Sequence, residues 1–343
     1  GWARITAEGG HPGDDLARGA AAALSGLALW SRGDLEAAHR WYSQSVDDLA
    51  RAGHLSDVLG CTVTLADLRL AQGRIGAAQQ AYDEGLALAT SCDPALRGAA
   101  DMHTGLAETA LERGDLASAR RELLTAQELG DGWGLVQNPY RSKAAAAGLA
   151  EAEGDLVTAR ELLVEAEGVY LGDFSPDVRP LHARIARIDI ALGDLTAARR
   201  WAADHGMAPA PDLSYAREFE HVTYAEVLLA AHREDDDAQT LRDCRDLLAR
   251  LLDQAEAGGR TATVIEVLVL VALAAEAGGD TRTAQDQLRR AVAIGQVAGH
   301  VRALARQGPR LAVLLDRVAA TGGGSPYLDS LRAAALRAEL PAE

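Results

Sequence analysis

The sequence of 343 residues contains 34 Lys and Arg against 50 Asp and Glu, which gives a formal charge of −16. A chain this acidic repels phosphate backbones, so we expect no direct binding of nucleic acid by it. Hydrophobic residues make up 48% and aromatic residues only 4%. This balance favours helices packed on small side chains over a β-sandwich, which needs more aromatic and β-branched residues.

The sequence has no pattern typical of a membrane or secreted protein. Its most apolar stretch, TVIEVLVLVALAAEA over residues 263–277, is too short to span a bilayer and contains Glu266, which predicts a buried helix. No signal-peptide pattern is present. Cys61, Cys92 and Cys244 lie far apart without the spacing of a zinc site, which predicts buried thiols in a reducing cytosol. We therefore expect a cytoplasmic protein without membrane contact.

A ten-residue phrase recurs along the chain at a nearly constant spacing. Examples are GDLEAAHRWY and GDLASARREL, and the copies begin at Gly33, Gly73, Gly114, Gly154, Gly193 and Gly279. The first five copies are 39 to 41 residues apart, and the last step of 86 residues is twice 43. This spacing predicts a seventh, degenerate copy with its turn near His232. A fixed period in this range indicates stacked units that each cover a neighbour's apolar face.

Small residues at fixed positions predict a closely packed pair of helices in each copy. Five residues after the Gly stand Ala38, Ala78, Ala119, Ala159, Ala198 and Ala284, and four residues later the side chain is Tyr or Leu in five of these six copies. Small residues let two helices approach, and the larger side chain fills the groove beside them. The Gly predicts a left-handed end of the first helix, and the Asp that usually follows it predicts the N-cap of the second.

These features resemble a tetratricopeptide repeat with a period of about 40 residues instead of the usual ~34. Three longer phrases resemble the helical-repeat region of large ATP-dependent LuxR-type transcriptional regulators, the MalT-like group. They are NPYRSKAAAAGLAEAEGDL from Asn138, GDFSPDVRPLHARIARIDIALGDL from Gly172 and DLSYAREFEHVTYAEVLLAAHRED from Asp212. GHVRALARQGPRLAVLLDRVAA from Gly299 is similar to the segment before the DNA-binding domain of those proteins. Where that segment is expected to be acidic, with the sequence DEG, this chain has Arg306-Gln307-Gly308.

The repeat and the resemblance together predict an all-α fold, a right-handed superhelical solenoid of about seven antiparallel helical hairpins with a C-terminal capping helix. We expect residues 1–13 to be a poorly ordered segment close to a tag remnant and residues 14–320 to form the solenoid. Residues 321–343 are expected to be a Gly-rich break and a terminal helix that leads toward a DNA-binding domain. The resemblance also implies an ATPase module before the repeats. This sequence contains neither that module nor the DNA-binding domain, and it has no GxxxxGK[ST] motif. We therefore predict no cofactor.

Catalytic and metal-binding motifs are not found in the sequence. The nine histidines form no HExxH pattern, and no Ser lies in GxSxG. The acidic run Glu234-Asp235-Asp236-Asp237 lacks the Gly and the alternation of a calcium loop, which favours a solvated loop. We predict no enzymatic activity and no metal site.

The resemblance implies that the first helix of each hairpin lines a concave wall whose exposed side chains select a ligand. The residues predicted to bind it are Tyr140, Arg141, Arg187, Tyr215, Arg217, Glu218, His221 and Glu266. Tyr215, Glu218 and His221 should share one stripe of a helix that begins after Pro211. Asp212 or Ser214 is predicted to be its N-cap.

Structural roles are the alternative for several of these residues. Arg217 can pair with Glu218 or Glu220 instead of a ligand, and Tyr140 can belong to the core. In the phrase FSPDVRP, Asp177 is expected to cap the fifth first-helix, and Arg179 to pair with the preceding repeat.

Two functional hypotheses follow. By resemblance, the chain is the sensor region of a bacterial transcriptional regulator, in which an inducer such as an oligosaccharide binds the groove and controls oligomerisation of the parent protein. Alternatively, it is a scaffold that binds a peptide, a partner helix or a regulatory protein. A closed pocket with convergent polar groups would favour the sensor, and a long open groove would favour the scaffold.

Overall fold

The computed structural model describes residues 14–92, 96–172, 175–210, 212–322 and 324–337. The predictions for residues 1–13 and for the last six residues lie outside these ranges. All regular secondary structure within the described ranges is helical. None of the described helices combines the length and apolar character needed to cross a bilayer.

Seven antiparallel helical hairpins follow one another along the described chain, which confirms the predicted fold class. The first helices of the hairpins are α1 (Asp15–Ser31), α3 (Leu55–Ala71), α5 (Ala99–Glu112), α7 (Asn138–Glu153), α9 (Leu181–Leu192), α11 (Glu218–Asp235) and α13 (Thr261–Ala277). The second helices are α2 (Leu35–Arg51), α4 (Ile75–Ser91), α6 (Leu116–Leu129), α8 (Leu156–Gly168), α10 (Leu195–Asp204), α12 (Ala238–Ala257) and α14 (Thr281–Ala298).

A tail of three helices follows the hairpins: the single turn α15 (Arg302–Ala305), then α16 (Pro309–Gly322) and α17 (Pro326–Arg337). Leu328, Leu331 and Ala335 of α17 are buried, so this helix covers an apolar face of the array. Short 3-10 turns at Asp131–Trp133 and Tyr215–Arg217 interrupt the loops between hairpins.

The turns within the hairpins have the predicted chemistry, except that Arg74 at the second turn makes no side-chain capping bond. Gly33 ends the first hairpin's α1 with φ 84°, and the carboxylate of Asp34 accepts a hydrogen bond from the Ala37 N–H at 3.1 Å. The same cap recurs at Asp115, Asp155, Asp194 and Asp280. In the degenerate copy Asp236 adopts the left-handed conformation, with φ 51°, and Asp237 caps α12. The predicted turn near His232 is thereby confirmed.

The alanines five residues after each Gly are fully buried, each with 0% exposure. They lie where the two helices of a hairpin meet, and larger side chains such as Tyr42 and Tyr82 are buried one turn further on. Tyr82 also packs against the next hairpin, where Gly105 leaves room for its ring. The small residues at repeated positions of the sequence therefore allow close contact both within a hairpin and between neighbouring hairpins.

Two predicted N-caps are wrong. The fifth first-helix, α9, begins at Leu181 after Pro180, so Asp177 is too far along the chain to reach its free N–H groups. Neither Asp212 nor Ser214 caps α11, because the 3-10 turn precedes it and makes Arg217 the N-cap residue, without a side-chain capping bond.

The solenoid closes on itself, because the first three hairpins contact the last two and the tail. A Cβ atom at Gly33 would lie 2.9 Å from the Cβ of Tyr215, and one at Gly73 would lie 2.8 Å from the Cβ of Thr261. At the third turn, the Val301 N–H donates to the carbonyl oxygen of Glu112 at 2.8 Å. Hairpins that are distant in sequence therefore meet across the axis of the superhelix.

The contact between Tyr82 and Gly105 can be tested with a pair of Gly→Ala substitutions. A Cβ atom at Gly105 would lie 2.2 Å from the Tyr82 ring, whereas one at Gly60 in α3 would meet nothing within 4 Å. We expect Gly105→Ala to lower the free energy of unfolding by about 1–3 kcal/mol through overpacking. Gly60→Ala should raise it by roughly 0.5–1 kcal/mol through helix propensity. Urea denaturation measures both, and changes of the same sign would contradict the packing described.

Candidate functional site

Closure of the superhelix leaves a central cavity of about 280 Å³. All seven first helices or the residues just before them contribute to its wall, together with the loop before α9 and the tail segment 300–306. The second helices of the hairpins do not line it. The cavity is therefore the concave side of the solenoid, closed at one side by the tail.

The structure brings six of the eight predicted site residues to the cavity wall: Tyr140, Arg141, Arg187, Tyr215, Glu218 and Glu266. Arg217 and His221 are not part of the wall. Arg217 donates to the Glu220 carboxylate at 2.8 Å and to the His205 carbonyl oxygen at 2.8 Å, so it has the structural pairing that was the alternative. His221 is buried with 1% exposure. The predicted stripe forms only in part, because Tyr215 and Glu218 both line the wall, whereas His221, about one turn further along α11, does not.

Arg141 is the centre of a charge cluster that joins the second, third and fourth hairpins. Its guanidinium donates to both carboxylate oxygens of Asp67, at 2.7 and 3.0 Å, and to Glu108 at 3.0 Å. The Tyr82 hydroxyl donates to the same Asp67 carboxylate at 3.1 Å. Burial raises the pKa of Glu108, and Arg141 opposes that shift. The bidentate geometry fixes the position of Arg141 at the wall.

A second cluster links the sixth and seventh hairpins to the first. The Glu218 carboxylate accepts from Arg260 at 2.7 Å and from the Thr263 hydroxyl at 2.8 Å. The Arg260 guanidinium lies 5.5 Å from the ring centre of Tyr215, whose hydroxyl accepts from the Trp30 indole at 3.0 Å. Burial raises the pKa of Tyr215 to about 12, so its hydroxyl stays protonated at neutral pH.

Arg187 lies on the opposite wall, in α9. Its guanidinium pairs with Glu266, donates to the Thr223 hydroxyl at 2.7 Å and lies 3.7 Å from the ring centre of Phe219. Stacking on an aromatic face and pairing with a carboxylate are both characteristic of a fixed arginine. Burial lowers the pKa of Arg187, and Glu266 opposes that shift.

Two arginines of the tail connect four hairpins across the cavity. Arg302 pairs with Glu112 of the third hairpin at 3.2 Å and with Glu151 of the fourth at 2.6 Å. Burial raises the pKa of Glu112, but the neighbouring His300 and Arg302 outweigh it and lower the pKa to about 2. This carboxylate is therefore ionised at neutral pH.

Arg306 makes the matching contacts to the sixth and seventh hairpins. It pairs with Glu226 of α11 and, at 3.3 Å, with Glu266 of α13. The basic tail sequence that departs from the expected acidic one therefore has a structural role: it neutralises carboxylates that the superhelix brings together.

Two further arginines at the wall have no carboxylate partner among the described residues. Arg184 donates to the Ala144 carbonyl oxygen at 2.7 Å. Its pKa is lowered to about 10, first by burial and then by the charges of Arg302 and Arg179. Arg179 lies 5.2 Å from the ring centre of Phe219, in the following hairpin, and among the described residues it makes no ion pair with the preceding repeat.

Aromatic rings line another part of the cavity. Tyr140 and Tyr170 meet edge to face, with ring centres 4.9 Å apart, and both line the wall. Tyr170 belongs to the loop before α9, and Val178 of the same loop packs against the apolar core of the first hairpin. This loop therefore extends across the cavity from the fourth hairpin toward the first.

Several of these groups are not among the predicted site residues, although the repeat register carried a signal for some. Asp67 and Glu108 occupy the same position as Arg187, six residues before the turn Gly. Arg184, Arg302 and Arg306 had no such signal, because their environment depends on contacts across the superhelix.

The chemistry available at the wall is binding by charge, hydrogen bonds and aromatic faces. Within the described ranges, no group of three or more His, Cys, Asp or Glu side chains is arranged to hold a metal ion. The acidic run is also engaged elsewhere, since Arg199 pairs with Glu234 at 3.2 Å and with Asp235.

Solved structures with a similar fold include a Rap protein complexed with competence and sporulation factor. It has a TM-score of 0.59 at 13% identity over 83% of this chain and 76% of that one. A STAND signal-transduction ATPase with a tetratricopeptide repeat sensor, from Pyrococcus horikoshii, gives a TM-score of 0.48 at 12% identity. That match covers 97% of this chain and 50% of the ATPase, so the chain spans half its length. At these identities the likeness concerns the fold alone.

No curated protein sequence gives a significant match to the chain. The family model for the MalT-like TPR region, in contrast, matches residues 11–321. This match covers all seven hairpins and most of α16. The chain therefore belongs to the family of MalT-like tetratricopeptide-repeat regions.

Proposed function

We propose that this chain is the ligand-sensing and protein-interaction region of a cytoplasmic, MalT-like transcriptional regulator, and that its central cavity receives a small-molecule inducer. The observation that carries the proposal is the cavity itself, toward which charged and aromatic side chains from every hairpin and from the tail converge. Pockets with convergent polar groups are typical of small-molecule sites, whereas peptides and partner helices use long open grooves. Its volume of about 280 Å³ suits a small metabolite.

Ligand binding in this cavity would act on the closure of the solenoid. Arg302 and Arg306 hold the tail to carboxylates of four hairpins, and the same two arginines line the cavity. A ligand that contacts them competes with or reinforces these ion pairs. It shifts the protein between conformations only if it binds one of them more tightly. We infer that such a shift at the tail controls oligomerisation of the parent regulator.

The candidate ligand contacts are the six predicted residues that lie at the wall. A thermal-shift screen of the chain against oligosaccharides, nucleotides and common metabolites tests this proposal. A ligand present at ~100 times its Kd should stabilise the fold by about 2.7 kcal/mol. Tyr140→Ala should abolish the shift, whereas Trp133→Ala, at an exposed aromatic residue outside the cavity, should keep it.

A shift that persists unchanged in Tyr140→Ala would place the ligand elsewhere. No shift with any compound, together with a partner protein that binds the chain in solution, would contradict the sensor and favour the scaffold.

The ion pairs of the tail lead to a separate prediction. Arg306→Gln removes one of the two cations that pair with Glu226 and Glu266 and leaves both carboxylates to Arg187 alone, so we expect the free energy of unfolding to fall by about 3 kcal/mol. Arg290→Gln is the matched control, because Arg290 pairs with Glu256 at the surface and should contribute less than about 1 kcal/mol. Urea denaturation followed by circular dichroism measures both. Equal losses would show that the tail does not hold the solenoid closed.

A further inference from the structure

Five arginines converge on one small part of the cavity wall, which we call the arginine recess. Its volume is about 20 Å³, and it adjoins the main cavity, with which it shares all five: Arg179, Arg184, Arg187, Arg302 and Arg306. Four carboxylates lie within 4 Å of this set: Glu112, Glu151, Glu226 and Glu266. The recess therefore has one more cation than its neighbouring anions.

The excess charge belongs to Arg179 and Arg184. Neither has a carboxylate within ion-pair distance among the described residues, and Arg184 satisfies only part of its donor capacity with the Ala144 carbonyl oxygen. Arg184 is half-buried, and a guanidinium partly withdrawn from water without a counter-ion is unfavourable, whereas Arg179 is exposed. The pKa of Arg184 is lowered because burial and the positive charges beside it disfavour its charged form.

The recess is organised before any ligand enters. The Phe219 ring lies beside two of its guanidiniums, at 3.7 Å from Arg187 and 5.2 Å from Arg179. Arg302 and Arg306 are held by the carboxylates of four hairpins. A ligand would not have to order Arg187, Arg302 or Arg306, which reduces the conformational entropy lost on binding.

We propose that the arginine recess binds the phosphate group of a small organic phosphate, with Arg179 and Arg184 as its main partners. This inference rests on the proposed function and names the class of ligand that the cavity senses. The five guanidiniums come from three places: the loop before α9, α9 itself and the tail. A tetrahedral phosphate can accept hydrogen bonds from all these directions, whereas a planar carboxylate is best satisfied by one arginine fork.

The remainder of the ligand would lie in the main cavity, which the rings of Tyr140 and Tyr170 also line. The recess acts locally, because the chain as a whole carries a charge of −16 and repels anions at long range. Binding therefore depends on charge-assisted hydrogen bonds made at the recess itself, which are stronger than hydrogen bonds between neutral groups.

The test is a thermal-shift and calorimetric titration of the chain at constant ionic strength. The phosphate probes are inorganic phosphate, glucose 6-phosphate and adenosine monophosphate, and the matched neutral probes are glucose and adenosine. We expect the phosphates to raise the Tm and the neutral compounds and sodium chloride to have no effect. Arg184→Gln should weaken the binding of the best phosphate at least tenfold, and Arg282→Gln, at a side chain with 93% exposure, should leave it unchanged.

A second readout separates a ligand site from a structural role. Because Arg184 has no counter-ion among the described residues, Arg184→Gln should raise the Tm of the unliganded protein while it removes the response to phosphate. Arg179 is exposed, so Arg179→Gln should fold in any case and also weaken phosphate binding at least tenfold.

Three results would overturn the inference. One is the absence of a Tm change with every phosphate probe, and another is an equal response in the wild type, Arg184→Gln and Arg179→Gln. The third is binding of succinate without binding of any phosphate. If a neutral sugar binds instead and Tyr140→Ala abolishes its binding, the phosphate site is wrong but the sensor function stands.

Discussion

Buried ion pairs between a short tail segment and four separate hairpins are the constraint on which the form of this molecule depends. Arg302 and Arg306 pair with carboxylates of the third, fourth, sixth and seventh hairpins. In an open solenoid each repeat touches only its neighbours. Here the tail adds contacts between distant repeats, and these contacts narrow the concave groove into a partly open cavity. The same charges are unfavourable in a buried site unless each keeps its partner, so closure and neutralisation depend on each other.

The distribution of charge in the cavity follows from this arrangement. Near Arg141 the carboxylates of Asp67 and Glu108 surround a single guanidinium, so negative charge is in excess. Near Arg184 positive charge is in excess instead. A ligand with a negative group and a polyhydroxylated or basic part would find complementary surroundings at both places. The two parts of the cavity therefore carry opposite charge, so they favour one orientation of a bound ligand. Charge complementarity of this kind contributes more to specificity than to affinity.

The sequence was sufficient for everything that repeats locally. The alanine column, the turn glycines and the capping aspartates act within one hairpin, so their period predicted the hairpins and the degenerate turn at Asp236. The predicted caps failed at Asp177 and Ser214, where the loops before α9 and α11 depart from the repeat. Five of the six predicted site residues at the wall lie in first helices, whose register places them on the concave side, and the sixth, Tyr215, lies in the 3-10 turn before α11. Arg306 and Glu226 could not be paired from the sequence, since their meeting depends on the rotation accumulated over several repeats.

Contacts across the superhelix also bear on the number of repeats. The turns of the first, second and third hairpins meet Tyr215, Thr261 and Val301 in the same order along the chain. Each of these contacts spans a similar length of sequence, so they form one continuous seam. Insertion or deletion of a single hairpin would move every residue on one side of the seam by one repeat. An open array can grow by duplication of any unit, but here the contacts fix the number of hairpins between the two sides of the seam.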